Sequence, residues 1–109
     1  MKRKRRIRHP ESILHRKDGT CYLCMKLAAD YRIHAYLEEH HAVPGNPGRR
    51  ISEENGLKVY LCLEHHRNGT AAVHNNHENM RLIQEDAQLA YERIHTREEW
   101  MELIGRNYL

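Results

Sequence analysis

Phenylalanine is absent from this chain and tryptophan occurs once, so the bulkiest apolar side chains contribute little to whatever core it builds. With 109 residues, of which 39% are apolar and 30% charged, there is material for one domain and too little for two. A domain this small and this lean in large side chains commonly draws on a structural metal or a partner subunit for stability. No run of 18 apolar residues occurs, so no membrane-spanning helix is expected. The N-terminus is basic but runs into His9-Pro10-Glu11 without an apolar segment, so a secretory signal is not expected either. Cysteine is scarce and odd in number. A disulfide framework would strand one of the three, and beside ten histidines the thiols read as metal ligands in a reducing, cytoplasmic setting.

The net charge of +3 conceals an asymmetry. Six of the eighteen basic residues (Lys2, Arg3, Lys4, Arg5, Arg6 and Arg8) stand together at the start, with no acidic residue among them. Without them the chain is formally −3, with twelve basic against fifteen acidic residues. A basic arm of this kind, residues 1–10, gains affinity for nucleic acid by releasing counterions from phosphates, and DNA is the expected partner.

Beyond the arm, Glu11 to Lys17 is predicted to form a helical turn around Ile13 and Leu14, stopped at Asp18-Gly19. That turn delivers Cys21-x-x-Cys24; residues 25–32 follow as a loop or short helix. Ile33 to Val43 reads as a strand, with Tyr36, Glu38 and His40 on one face and Leu37, Glu39, His41 and Val43 on the other. The adjacent histidines therefore face opposite ways and should have separate roles. Pro44-Gly45-Asn46-Pro47-Gly48 breaks the strand and opens a surface loop running to Gly56, where free amides with Arg49 and Arg50 are candidates for holding a phosphate.

Leu57 to Leu63 is predicted as a second strand, antiparallel to the first, and Glu64 to Asn68 as the first turn of a helix cut short at Gly69. Asn75-x-x-Glu78 has the form of a capping box for an amphipathic helix over 77–95, whose apolar stripe is Met80, Ile83, Ala87, Ala90, Tyr91 and Ile94. Thr96-x-x-Glu99 caps a second helix over 97–104, with Trp100, Leu103 and Ile104 inward and Gly105 as its C-cap. These two helices are expected to supply core and a homodimer contact.

The chemistry-bearing residues fall into two sets. Cys21, Cys24, Cys62 and His65 form Cys-x-x-Cys followed by Cys-x-x-His, four N/S ligands of the kind tetrahedral structural zinc requires. His66 is then free and, with His40, can hold a second ion whose open positions suit Lewis-acid chemistry on a phosphodiester. Free imidazole titrates near neutrality, which makes the remaining histidine of the first pair, His41, the natural general base. His74 is a candidate third ligand or phosphate contact, whereas His9, His15, His34, His77 and His95 are expected to carry no chemistry.

The stretches CYLC, EEHHAVPG and VYLCLEHHR, in that order, resemble the HNH nuclease superfamily. Within it they resemble the small stand-alone proteins with a zinc-binding, treble-clef-like scaffold that phages and other mobile elements encode. The resemblance implies an α+β fold in which a ββα-metal core over residues 20–77 sits inside a single domain, 11–109; the basic arm and the two C-terminal helices lie outside the match. It implies that His40 and His66 ligate a catalytic ion (Mg²⁺, Mn²⁺, Ni²⁺ or Zn²⁺), that His41 is the general base, and that Asn55 is the middle residue orienting loop and base. His65 then stands where the family has a zinc cysteine. The expected activity is metal-dependent endonucleolytic cleavage of DNA, with phage terminase or recombination proteins as further partners. The alternative is a non-catalytic, zinc-stabilised DNA-binding or packaging accessory protein.

Overall fold

The computed structural model describes residues 9–109, so the basic side chains of positions 2–8 lie outside the described residues. Its centre is a two-stranded antiparallel sheet, β1 (Glu38–His41) and β2 (Lys58–Leu61), paired Glu38 to Leu61, Glu39 to Tyr60, His40 to Val59 and His41 to Lys58. Helices α1 (Tyr22–Ala28), α2 (Gly48–Asn55), α3 (His77–Tyr91) and α4 (Arg97–Ile104) surround it, with a single π-helical turn at Glu64–Asn68 following β2. The architecture is thus a small mixed helix and two-strand arrangement.

Both strands are shorter than their sequence patterns suggest. Residues 33–37 stay outside the ladder, leaving Ile33 and Tyr36 exposed, because β2 offers only four partners before the chain turns at Cys62. One further bond, Ala42 N–H to the Leu57 carbonyl at 2.9 Å, extends the pairing at the other end. Every residue of β2 is buried, including Lys58. One reason is that the segment expected to be a helical turn at 11–17 runs instead along β2. The Ser12 hydroxyl donates to the Lys58 carbonyl and accepts from the amides of Leu14 and His15, and this local competition displaces a helical turn. His15, buried, accepts the Tyr60 amide at Nδ1 (3.0 Å) and meets the Thr20 hydroxyl at Nε2 (3.1 Å). A histidine with no expected chemistry therefore satisfies the outer edge of the sheet.

The connection between the strands is not the open loop its Pro/Gly content suggests. After the turn at residues 44–47 it forms α2, whose only large apolar side chain is Ile51, which is why no periodicity announces it. The helix is fastened by Ser52, fully buried, whose hydroxyl accepts from the Val43 amide at 3.1 Å and reaches the Val43 carbonyl at 3.3 Å. Gly56 ends it in the left-handed region (φ 67°), and a Cβ there would lie 2.3 Å from the Glu11 carbonyl oxygen, so only glycine fits.

Leu23 from α1, Val59 and Leu61 from β2, and Ile83 from α3 are fully buried in one core. Helix α3 begins at His77, as expected, but its N-cap is Asn76 and not Asn75, with the Asn76 side chain accepting from the Asn79 amide. It also ends earlier, at Tyr91, leaving Ile94 exposed in a turn. Helix α4 matches its expected bounds, with the Thr96/Glu99 capping box formed and Gly105 at φ 79°. Fully buried Trp100 packs edge-on against Tyr91 (5.4 Å) and Tyr108 (6.3 Å), and fully buried Gln88 accepts the Tyr108 amide at 2.7 Å, drawing the C-terminal residues back onto α3. Among the described residues no helix is long and apolar enough to cross a membrane. Replacing Thr96 by Ala removes one half of the capping box and is expected to cost about 1 kcal/mol. In urea unfolding this reads as a lower midpoint with an unchanged slope.

Candidate metal centres

Cys21 is the N-cap of α1 and Cys24 lies in its first turn, so the helix start presents both thiols to one side. Cys62 lies just past β2, and the π-helical turn, in which the amides of His65 and His66 both bond the Cys62 carbonyl (3.1 and 2.9 Å), returns His65 toward it. The His65 Nδ1 lies 3.6 Å from Cys21 Sγ, 3.3 Å from Cys24 Sγ and 3.4 Å from Cys62 Sγ, and the Cys24 and Cys62 sulfurs are 3.9 Å apart. A tetrahedron with usual Zn–S and Zn–N bond lengths has edges of about 3.8 Å between sulfurs and about 3.5 Å from sulfur to nitrogen. The four side chains could therefore hold a metal ion, and their donor set is consistent with structural zinc. Burial and the neighbouring thiols push the Cys24 thiol up, and burial raises Cys62 likewise. Cys24 and Cys62 thus resist ionising in place, a penalty that a divalent cation reverses. All three cysteines are free of disulfides. His34, expected to be inert, comes within 3.9 Å of the Cys24 sulfur.

The next residue along belongs to a different group. His66, with His40 from β1 and His74 from the turn before α3, forms a cluster whose ring centroids are 4.8 to 5.5 Å apart, with the Nε2 atoms of His66 and His74 at 3.1 Å. Their ligand nitrogens all lie within 4.8 Å of one another. His40 is buried and also approaches the Met80 sulfur at 3.2 Å. Burial, reinforced by the neighbouring histidines, pushes its pKa down to about 3, which keeps it in the neutral form that ligates metals. His74 is lowered too, by burial first and then by His66 and Arg67. His66 is oriented from behind: its Nδ1 lies 2.8 Å from Glu38 Oε1, leaving Nε2 toward the cluster. Glu38 in turn accepts from Arg67 and from the Tyr36 hydroxyl, and these bonds, that of His66 first, hold its carboxyl down to about 2. Strand alternation places Tyr36, Glu38 and His40 on one face, so this carboxylate is recoverable from the pattern.

His41 faces the other way, as alternation requires, into a third group. Its Nε2 is 2.7 Å from Glu53 Oε2 and 3.5 Å from Glu39 Oε1, and the Lys58 ammonium contacts Glu53 at 2.9 Å and Glu39 at 3.3 Å. Burial alone would raise the Glu53 pKa, but hydrogen bonding with Glu39, Lys58 and His41 outweighs it and brings it to about 2. The Lys58 ammonium already supplies this cluster with positive charge. No local signal points to Glu53; it arrives on the unexpected helix α2. Asn55, expected to orient the base, instead donates to the Ile51 carbonyl of its own helix at 2.8 Å.

A cavity of about 370 Å³ joins the second and third groups, lined by His40, His41, His66, His74, Glu39 and Arg49 with Pro44 and Gly45. The two arginines taken together as phosphate contacts separate here: Arg49 lines the cavity, whereas Arg50 is exposed and pairs with Glu54 along α2 at 3.0 Å. Both belong to a helix rather than to a loop of free amides. Comparison with protein-family models, with curated proteins and with solved structures gives no match.

The separation of His65 from His66 yields a direct check on metal content. Elemental analysis of the purified protein is expected to find a tightly held ion, and Cys62→Ser and His65→Ala are each expected to lose it and to lower the thermal midpoint. His66→Ala should keep both.

Proposed function

We propose that this chain is a divalent-metal-dependent endonuclease that hydrolyses DNA phosphodiester bonds on an HNH-like, ββα-metal core. One observation carries the reading: three imidazoles suited to an ion, and a fourth with a carboxylate behind it, open onto the same cavity. The order β1, β2, helical turn, with a four-ligand zinc-type cluster bracing the end of β2, supports the same assignment.

On this reading His40, His66 and His74 hold the catalytic ion. Their donor set fits: the nitrogens converge, and burial favours the neutral form of His40. A bound ion supplies Lewis-acid polarisation of the scissile phosphate and charge stabilisation for the leaving oxygen. His41 takes the proton from the attacking water as the new P–O bond forms. The ester P–O bond breaks, and the leaving oxygen regains a proton from solvent. Arg49 reaches the substrate phosphate from the cavity wall, and the arm of residues 2–8 adds sequence-independent phosphate contacts. Mg²⁺, Mn²⁺, Ni²⁺ and Zn²⁺ are the ions to try.

In a plasmid-nicking assay with each ion, wild-type protein is expected to convert supercoiled DNA to nicked and linear forms. His41→Ala should be slower by about 10² to 10⁴-fold, the usual contribution of a general base, with the fold and the cysteine-bound ion retained. A fully active His41→Ala protein would rule out the base assignment. Wild-type protein that binds DNA, holds one ion per chain and cleaves under no divalent metal would instead identify a zinc-stabilised DNA-binding or packaging protein.

A further inference from the structure

The geometry points to Glu53 as the residue that positions His41 for proton abstraction, in the orienting role that the family resemblance assigns to Asn55. This rests on the nuclease reading above only for its consequence in rate; the contact itself does not depend on it.

An imidazole acting as base needs one nitrogen with a free lone pair and the other held. With Nε2 at 2.7 Å from a carboxylate oxygen, the neutral ring places its proton on Nε2, donated to Glu53, and Nδ1 is left as the basic nitrogen. Glu53 is itself held on its other oxygen by the Lys58 ammonium at 2.9 Å; Lys58 is buried and keeps only its 3.3 Å contact with the exposed Glu39 if the Glu53 carboxylate swings away, so the closer pairing opposes that movement. Glu39 is a poorer candidate, being 3.5 Å from the same nitrogen and exposed.

Glu53 is not among the residues that line the cavity, so it acts through His41 and not on the substrate. Its placement is anchored by its neighbour: fully buried Ser52 binds both the amide and the carbonyl of Val43, two residues past His41. Gly48 adds a second close approach, since a Cβ there would stand 3.0 Å from the Val43 carbonyl oxygen. The start and the middle of α2 are thereby locked to the end of β1, and Glu53 is carried to the His41 ring. Asn55, two residues on, is committed to its own helix at Ile51. During turnover the water proton goes to Nδ1, the Nε2 proton stays in its bond, and Glu53 remains ionised beside the imidazolium. It accepts no proton.

Two readouts test this separately. By ¹H–¹⁵N correlation of the imidazole rings at alkaline pH, His41 in the wild-type protein is expected to be the Nε2–H tautomer, and Glu53→Ala to give a mixture of tautomers. In single-turnover cleavage, Glu53→Gln should slow the chemical step by about 10 to 100-fold with unchanged DNA affinity and metal content, while Glu53→Asp restores part of the rate. The double variant His41→Ala/Glu53→Gln should be no slower than His41→Ala alone. The inference is overturned if Glu53→Ala leaves the tautomer and the rate as they were, or if the two losses multiply in the double variant. A wild-type protein that cleaves nothing yet loses its single His41 tautomer in Glu53→Ala would sustain the positioning contact and sink the nuclease reading instead.

Discussion

Two stretches of chain that are far apart in sequence meet at one point because Cys21, Cys24, Cys62 and His65 converge to within bonding reach of a single ion. That convergence ties the start of α1 to the end of β2 and decides where the chain must turn. A two-stranded sheet is marginal by itself in water. Here it is held by this junction at one end, by Ser12 and His15 along its outer edge, and by α2 against the end of β1. With no phenylalanine and one tryptophan, these polar and metal-type fastenings add to an apolar core built from smaller side chains such as Leu23, Leu57, Val59, Leu61 and Ile83.

The π-helical turn makes the junction productive. Both His65 and His66 follow Cys62 on amides bonded to the same carbonyl, yet their side chains diverge into different clusters. Likewise His40 and His41 diverge because a strand alternates. Each doublet therefore supplies one residue to the histidine cluster on the cavity and sends its neighbour elsewhere. The carboxylates Glu38 and Glu53 stand behind one member of each pair, fixing ring orientation from outside the ligand set.

How much of this is readable from residues alone depends on whether a local rule governs the position. The Cys-x-x-Cys and Cys-x-x-His spacing, strand alternation at His40 and His41, and the Thr96/Glu99 box are short-range patterns, and the structure places those residues accordingly. Helix α2 obeys no such rule: a buried serine fastens it where an apolar stripe would otherwise do so, and Pro/Gly content disguises the helix start. Ser12 likewise turns an expected helical turn into a strand-edge cover. Glu53 is invisible in the sequence because its partner is twelve residues away across a helix that no pattern announces, whereas the expectation for Asn55 comes from the family resemblance alone.

The π-helical turn also sets where this chain can change in length. Each residue added to a helical turn rotates the downstream chain by roughly a quarter of a turn, so one insertion between Cys62 and His66 would swing the imidazole away from Glu38 and from its two partners at once. The stretch from Leu27 to Tyr36, with Leu27, Tyr31, Ile33 and Tyr36 exposed, bears no such phase relation. Variation in length should gather there, while the Cys62 to His66 interval stays constant: the spacing itself is the quantity under constraint, ahead of most of the side chains around it.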